Sequence, residues 1–503
     1  MKFSRRDFTK MMLGAAALGL VEHSTAARVF AESKRSMLWL AAQTASGEGA
    51  WTNLKIEGKL PKSLNGTLFR TAPGMSENFG TTYNHLFDGD AYLSAWKFEN
   101  GKISLKTRFL PTPQRAEEQA AKQMLYGEYG TSAPKSDVKK QFGGKNQPSV
   151  NVVEWRGKLL GLSEGGLPTV INRETFDYEG LTDFGGIVPQ YLTFTAHPRF
   201  DAKTGDMFAY GFEKRPPGSA HIYKIERGNG AAKLLYKMPM DGFYMVHDSI
   251  LTENYFILLI PPVQYDVRSM MSGKTMADAT AFLESKPIRL LAFPRNNENG
   301  QAKPIEINLP AQFFFHFGNA FETADGKLVF DVISSNNAQV LEKLRVWKKD
   351  PFKNGLDTMQ TWETLRRVTV DLKTKSLVST VDFADNVEFP RYDSRLTGSD
   401  SRYLYTTENG YGANASIIRV DFQKNSVKKA AAGKTRTFGE PVFVPNTSAV
   451  NEERGWLLTQ GYDGGKNESF MEIRDAATLE FAARIWANGQ HFPLGFHGNF
   501  YAS

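Results

Sequence analysis

The chain has 503 residues, 41% of them hydrophobic and 23% charged, which is the composition of a folded protein with a large core. Lys and Arg number 61 against 54 Asp and Glu, a net +7 with no basic cluster, so nucleic acid is not expected as a partner. The absence of cysteine excludes disulfides, thiolate metal ligands and cysteine nucleophiles, and leaves histidine, carboxylates and hydroxyls to carry any chemistry.

The first element is a targeting segment. "SRRDFTK" (Ser4 to Lys10) is a twin-arginine pattern, the short apolar "MMLGAAALGL" follows it, and "VFA" ending at Ala31 supplies a cleavage site. Residues 1–31 are therefore expected to be a twin-arginine signal peptide, with residues 32–503 a single exported, periplasmic domain. The segment holds five basic and two acidic residues, so the mature charge falls to +4. No apolar run reaches the ~18 residues of a membrane span.

From about Trp51 onward the chain is a succession of short apolar or alternating runs. "YLSAWKFENGKI" (92–103), "KLLGLSEGGLPTVIN" (158–172), "DMFAYGFE" (206–213), "YFILLIPP" (255–262), "KLVFDVI" (327–333) and "RYLYTTENG" (402–410) are bounded by Gly, Asn, Asp and Pro. Such runs predict strands joined by hairpins, and no βα alternation appears. The fold class is all-β, and so many strands suggest a propeller, although no repeat signature marks the blades.

Two stretches interrupt this texture. Residues 113–130 place Ala116, Ala120 and Met124 at four-residue spacing and predict a short amphipathic helix. Residues 268–287 are Met-rich and follow Pro261 and Pro262. Each reads either as a surface helix packed on the core or as a lip that touches membrane.

Four of the eight histidines share one setting: His197, His247, His316 and His497 each lie in or beside an apolar, strand-like run. Their spacings of 50, 69 and 181 residues fit no zinc finger and no helical metal motif, but suit ligands brought together from separate strands. Imidazole suits Zn, Cu, Fe and Ni. Each ligand would need an acceptor on its other ring nitrogen, and Glu164, Glu388 and Glu440 stand alone among apolar, Gly or Pro neighbours where such acceptors are wanted. His85 and His491 read as structural, His221 has no motif around it, and Asp88 and Asp90 flank Gly89 in a turn.

These residues carry a resemblance to the carotenoid cleavage oxygenases. It runs through "LPKSLNGTLFRTAPG", "NHLFDGDAYLSAWKF", "AHPRFDAKTGDMFAYGF", "VHDSILTENYFILLIPP", "FHFGNAFE", "EFPRYDSRLTG", "GEPVFVP", "DAATLEFAARI" and "LGFHGNF", and so covers the chain from about residue 50 onward. The resemblance implies a seven-bladed β-propeller with a helical and loop cap over the active-site face. It implies Fe(II) on His197, His247, His316 and His497, with Glu164, Glu388 and Glu440 holding His247, His316 and His497 in turn. It further implies O2-dependent cleavage of one C=C bond in an apolar conjugated substrate lodged in an apolar tunnel that would use the Phe surplus; peripheral membrane contact is the expectation of the two insertions above. Carotenoids or apocarotenoids are the expected substrates and stilbenoids the alternative. Stilbene-cleaving members use a Tyr and a Lys on the substrate hydroxyl, and Gln114 and Arg115 stand where that Lys is sought. Arg115 stays protonated and is no base. From another class, the same residues would serve a periplasmic propeller that binds apolar ligands without turnover or carries zinc structurally.

Overall fold

The computed structural model describes residues 37–503, apart from 135–139, 141–143, 214–217, 298, 346–362 and 449. The expected signal peptide, residues 1–31, lies outside the described residues. All six quoted runs form strands. The turn between Ala91–Glu99 and Lys102–Phe109 is made by Asn100 and Gly101, both in the left-handed region (φ +52° and +74°) that a tight hairpin requires.

Seven antiparallel sheets form a seven-bladed β-propeller. Numbered in chain order, their inner strands are Gly498–Ala502 in blade 1, Asn151–Trp155 in blade 2, Arg199–Phe200 in blade 3, Ser249–Leu251 in blade 4, Phe313–Glu322 in blade 5, Val387–Arg391 in blade 6 and Arg436–Pro445 in blade 7. Both chain ends close the ring. The C-terminal strand Gly498–Ala502 pairs antiparallel with Gly66–Pro73 of blade 1, and Ile56–Gly58 forms the outer edge of blade 7 against Phe481–Trp486.

The core is not central but divided into wedges, one between each pair of neighbouring blades. Ile257, Leu290, Phe317 and Phe330 fill the space between blades 4 and 5, and Leu68, Trp96, Leu458 and Ile485 that between blades 7 and 1. A middle strand is covered on both faces, so Tyr255–Ile260 reads as a continuous apolar run and is almost wholly buried. An outer strand such as Ser376–Asp385 faces water and carries polar residues on both sides. Many phenylalanines expected in a tunnel are spent in these wedges instead, among them Phe208, Phe256 and Phe470.

The long insertions lie on one face and form the cap. The predicted helix in 113–130 is confined to Pro113–Ala121, capped by Thr112 and ended by Lys122 in the left-handed conformation. Its expected apolar face is corrected in part: Met124, past the helix end, is buried against Tyr83, but Ala116 and Ala120 are exposed and the buried helical residue is Glu118. Glu118 meets Lys145 Nζ at 2.9 Å and accepts the Leu125 and Tyr126 backbone N–H groups, so charge and hydrogen bonds outweigh alanine burial here. Asp90 and Glu128 complete the shell around Lys145, at 2.7 and 3.1 Å. The Met-rich stretch carries the short helix Val267–Met271, with Met271 exposed. No helix among the described residues is long and apolar enough to cross a membrane.

Candidate metal centre

The four histidines come together on the propeller axis. His197, His247 and His497 sit just before the inner strands of blades 3, 4 and 1, and His316 lies within that of blade 5. One nitrogen from each lies within 4.8 Å of the others. Nε2 of His247 is 3.1 Å from Nε2 of both His197 and His316. Two nitrogens each about 2.1 Å from a single ion, at roughly a right angle, would be about 3 Å apart. His497 Nε2 is buried without a hydrogen-bond partner, an orphan that a metal would satisfy. The residues fit a divalent cation bound by four imidazoles, and sulfur and carboxylate take no part.

Irregular backbone aims these side chains. Along blade 5, Phe314 pairs with Ser334 and Phe317 with Val332, so Phe315 and His316 bulge. Phe389 and Pro390 bulge between Glu388 and Arg391 in blade 6, and Gly439 and Glu440 between Phe438 and Pro441 in blade 7. A bulge bends the strand and re-aims its side chains. The carbonyls it frees are taken up by neighbours: Thr406 Oγ1 donates to Glu388 O at 2.6 Å, and Thr407 Oγ1 to Gly439 O at 2.7 Å.

The three glutamates reach the other ring nitrogens, each in its own way. His316 Nδ1 lies 2.6 Å from Glu388 Oε2 and His497 Nδ1 2.9 Å from Glu440 Oε1, both hydrogen-bonded. Glu164 Oε1 is 2.7 Å from His247 Nδ1 but off the hydrogen-bond direction, so this contact is one of charge and proximity. Among the described residues no carboxylate hydrogen-bonds the His197 ring. Burial, reinforced by the other histidines, holds His197 well below the usual imidazole range. Burial also lowers His497, to about 3 against the opposing pull of Glu440. Both are thus neutral and able to ligate. Burial disfavours charge on His247 too, but Glu164 overcomes it and raises that ring.

Beneath the histidines lies an ionic floor that isolated sequence runs do not reveal. Arg199 Nη2 meets Asp248 Oδ2 at 2.7 Å, and the same oxygen accepts the Phe317 N–H at 3.0 Å. This clasp ties three inner strands one or two residues past His197, His247 and His316. Arg70 and Arg391 flank Glu440 at 3.5 and 3.2 Å, and Arg70 also donates to the carbonyls of Leu494 and Phe496. Burial alone would raise Glu440, yet Arg391, His497 and Arg70 hold it far below the carboxylate range. A cavity of about 490 Å³ opens on this side, lined in part by Arg199, Asp248, Arg391, His197, His316 and His497.

The roof is apolar. The Phe315 ring lies 5.4 Å from His247, Phe87 joins Phe315 to Phe496, and Phe389 stands against His316 and His497. His85 is buried in the cap, its Nε2 3.2 Å from Leu341 O, and His491 meets Gln43 O at 3.1 Å. His221 bridges Ser219 and Tyr223 in blade 3. Asp88 accepts from Gly130 N and Thr131 Oγ1, while Asp90 binds Arg115 and Lys145. None of these five residues joins the cluster.

Comparison with known proteins places the chain in a family. Residues 42–502 match the family model of the retinal pigment epithelial membrane protein, RPE65. The chain is 29% identical over 459 residues to apocarotenoid-15,15'-oxygenase of Synechocystis, covering 88% of this chain and 92% of that one. It is 26% identical over 475 residues to resveratrol cleavage oxygenase 1 of Aspergillus fumigatus, covering 90% and 92%. Cobalt-substituted Synechocystis apocarotenoid oxygenase superposes with a TM-score of 0.82 at 26% identity, covering 93% of this chain and 98% of that one. The chain belongs to the RPE65 family of carotenoid cleavage oxygenases and is an oxygenase.

Proposed function

We propose that this protein is a non-haem Fe(II) dioxygenase that cleaves one C=C bond of a carotenoid or apocarotenoid with O2 to give two carbonyl products. The observation that carries this reading is the convergence of four imidazole nitrogens, without thiolate or carboxylate, beneath an aromatic roof. Iron bound there would supply the activation of O2. Glu388 and Glu440 fix the ring planes of His316 and His497, and Glu164 backs His247. Phe87, Phe315 and Phe496 offer a dry surface for a hydrocarbon chain and keep water from the reacting bond.

Two observations favour an apocarotenoid over a stilbenoid. Arg115 is committed to Asp90 and stacks over Phe109, 4.2 Å from the ring centroid. Lys145 is sealed by three carboxylates, and these hold it charged against burial. Neither offers a phenol a free base. The exposed Phe79 and Met271 on the cap side support membrane contact on that face, and the twin-arginine segment supports a periplasmic location. The test is aerobic incubation of iron-loaded protein with apocarotenoid and stilbenoid panels, followed by product masses. Paired aldehydes from the first panel are expected, whereas cleavage of stilbenoids alone would overturn the substrate assignment.

A further inference from the structure

Phe389 holds a conformation that its chemistry disfavours. Its φ is +63°, a left-handed backbone that bulky residues seldom adopt. It also precedes Pro390, which drives its predecessor toward extended values. Such departures persist only where the surroundings over-determine them, and they gather at functional sites.

The surroundings here are specific. The bulge at Phe389 and Pro390 turns two successive side chains onto one pair of histidines. Glu388 Oε2 reaches His316 Nδ1, while the Phe389 ring stands 5.8 Å from the His316 ring and 5.7 Å from that of His497. Tyr411 backs the ring at 5.6 Å, and its hydroxyl donates to the Gly495 carbonyl, two residues before His497. In ring order blades 6 and 7 separate His316 from His497 and contribute no histidine to the cluster. Phe389, 5% exposed, fills that arc.

We propose that Phe389 is a positioning residue of the histidine cluster: its ring spaces His316 from His497, and its left-handed backbone delivers Glu388 to His316. This rests on the metal-centre reading above. The ring and the backbone do separate work, so shortening the side chain loosens the spacing even where the strained φ is relieved.

The test is Co(II) titration of metal-free protein, followed by visible absorption, for the wild type, Phe389→Leu, Phe389→Ala and Phe389→Gly. The wild type should bind one equivalent. The variants should bind about 10–100-fold more weakly with altered band intensities, the range seen when the support of a metal ligand is removed. Phe389→Gly should not restore the spectrum although it accepts the backbone freely. Wild-type affinity and spectrum in Phe389→Leu and Phe389→Ala would overturn the proposal. If Phe389→Ala does not fold, Phe389→Leu decides alone. A wild-type protein that takes up no cobalt would overturn the metal-centre reading and this proposal with it.

Discussion

The two sides of the histidine cluster are built from opposite materials. Below the rings, Arg199 with Asp248, and Arg70 and Arg391 with Glu440, form two ion-pair clusters beside the cavity. Above them, Phe87, Phe315, Phe389 and Phe496 present hydrocarbon. Charged hydrogen bonds are directional and fix ring planes. Aromatic surface is non-directional and excludes water. On the proposed function, the floor sets the geometry of the rings and the roof would take the substrate.

The largest effect should follow from removing residues 497–503. This deletes the strand that closes blade 1 along with His497, and circular dichroism should find no cooperative unfolding transition. A folded, closed truncation would show that the N-terminal strand at blade 7 closes the ring by itself.

Next, Glu440→Ala leaves the buried Arg70 and the partly exposed Arg391 without their carboxylate, and breaking a buried ion pair such as that of Arg70 costs about 3–5 kcal/mol. Urea unfolding of the metal-free protein reads this loss. A change below about 1 kcal/mol would show that the floor does not depend on its charges.

The cap contains an exception that sharpens the contrast. Asp88 is buried with no cation against it among the described residues, and burial, aided by Glu128, pushes it up to about 7 from an unfolded value of 3.8. A raised carboxyl contributes its stability in full below about pH 3.8 and loses it as the pH climbs toward 7. Asp88→Asn should therefore stabilise the protein at pH 8 by up to about 4 kcal/mol, with the gain fading toward pH 4. A gain independent of pH would contradict the assignment.

The smallest change concerns Glu164, the most exposed of the three glutamates and the one not aligned as a hydrogen bond. Glu164→Gln should weaken metal binding about 10–100-fold while leaving the thermal midpoint unchanged. A lowered midpoint with unchanged metal affinity would move Glu164 from the site to the fold.

The histidines and glutamates were legible because each is the wrong residue type for its run, an imidazole or a lone carboxylate among Phe, Gly and Pro. The strands were legible as apolar runs bounded by turn residues. The ionic floor was not. Arg70 in "LFRTAPG" looks like any surface arginine until Glu440, 370 positions away, is placed beside it. The three bulges were equally hidden, because a bulge is defined by the register of its partner strand. At Pro113–Ala121 the alanine spacing predicts a buried face, but Glu118, paired with the buried Lys145, takes that place.

The most direct measurement is the iron content of purified wild-type protein beside that of His316→Ala, each checked for folding by circular dichroism. A four-imidazole iron centre predicts close to one iron per chain in the wild type and essentially none in a folded His316→Ala. Iron retained in the variant, or zinc in place of iron in the wild type, would contradict it.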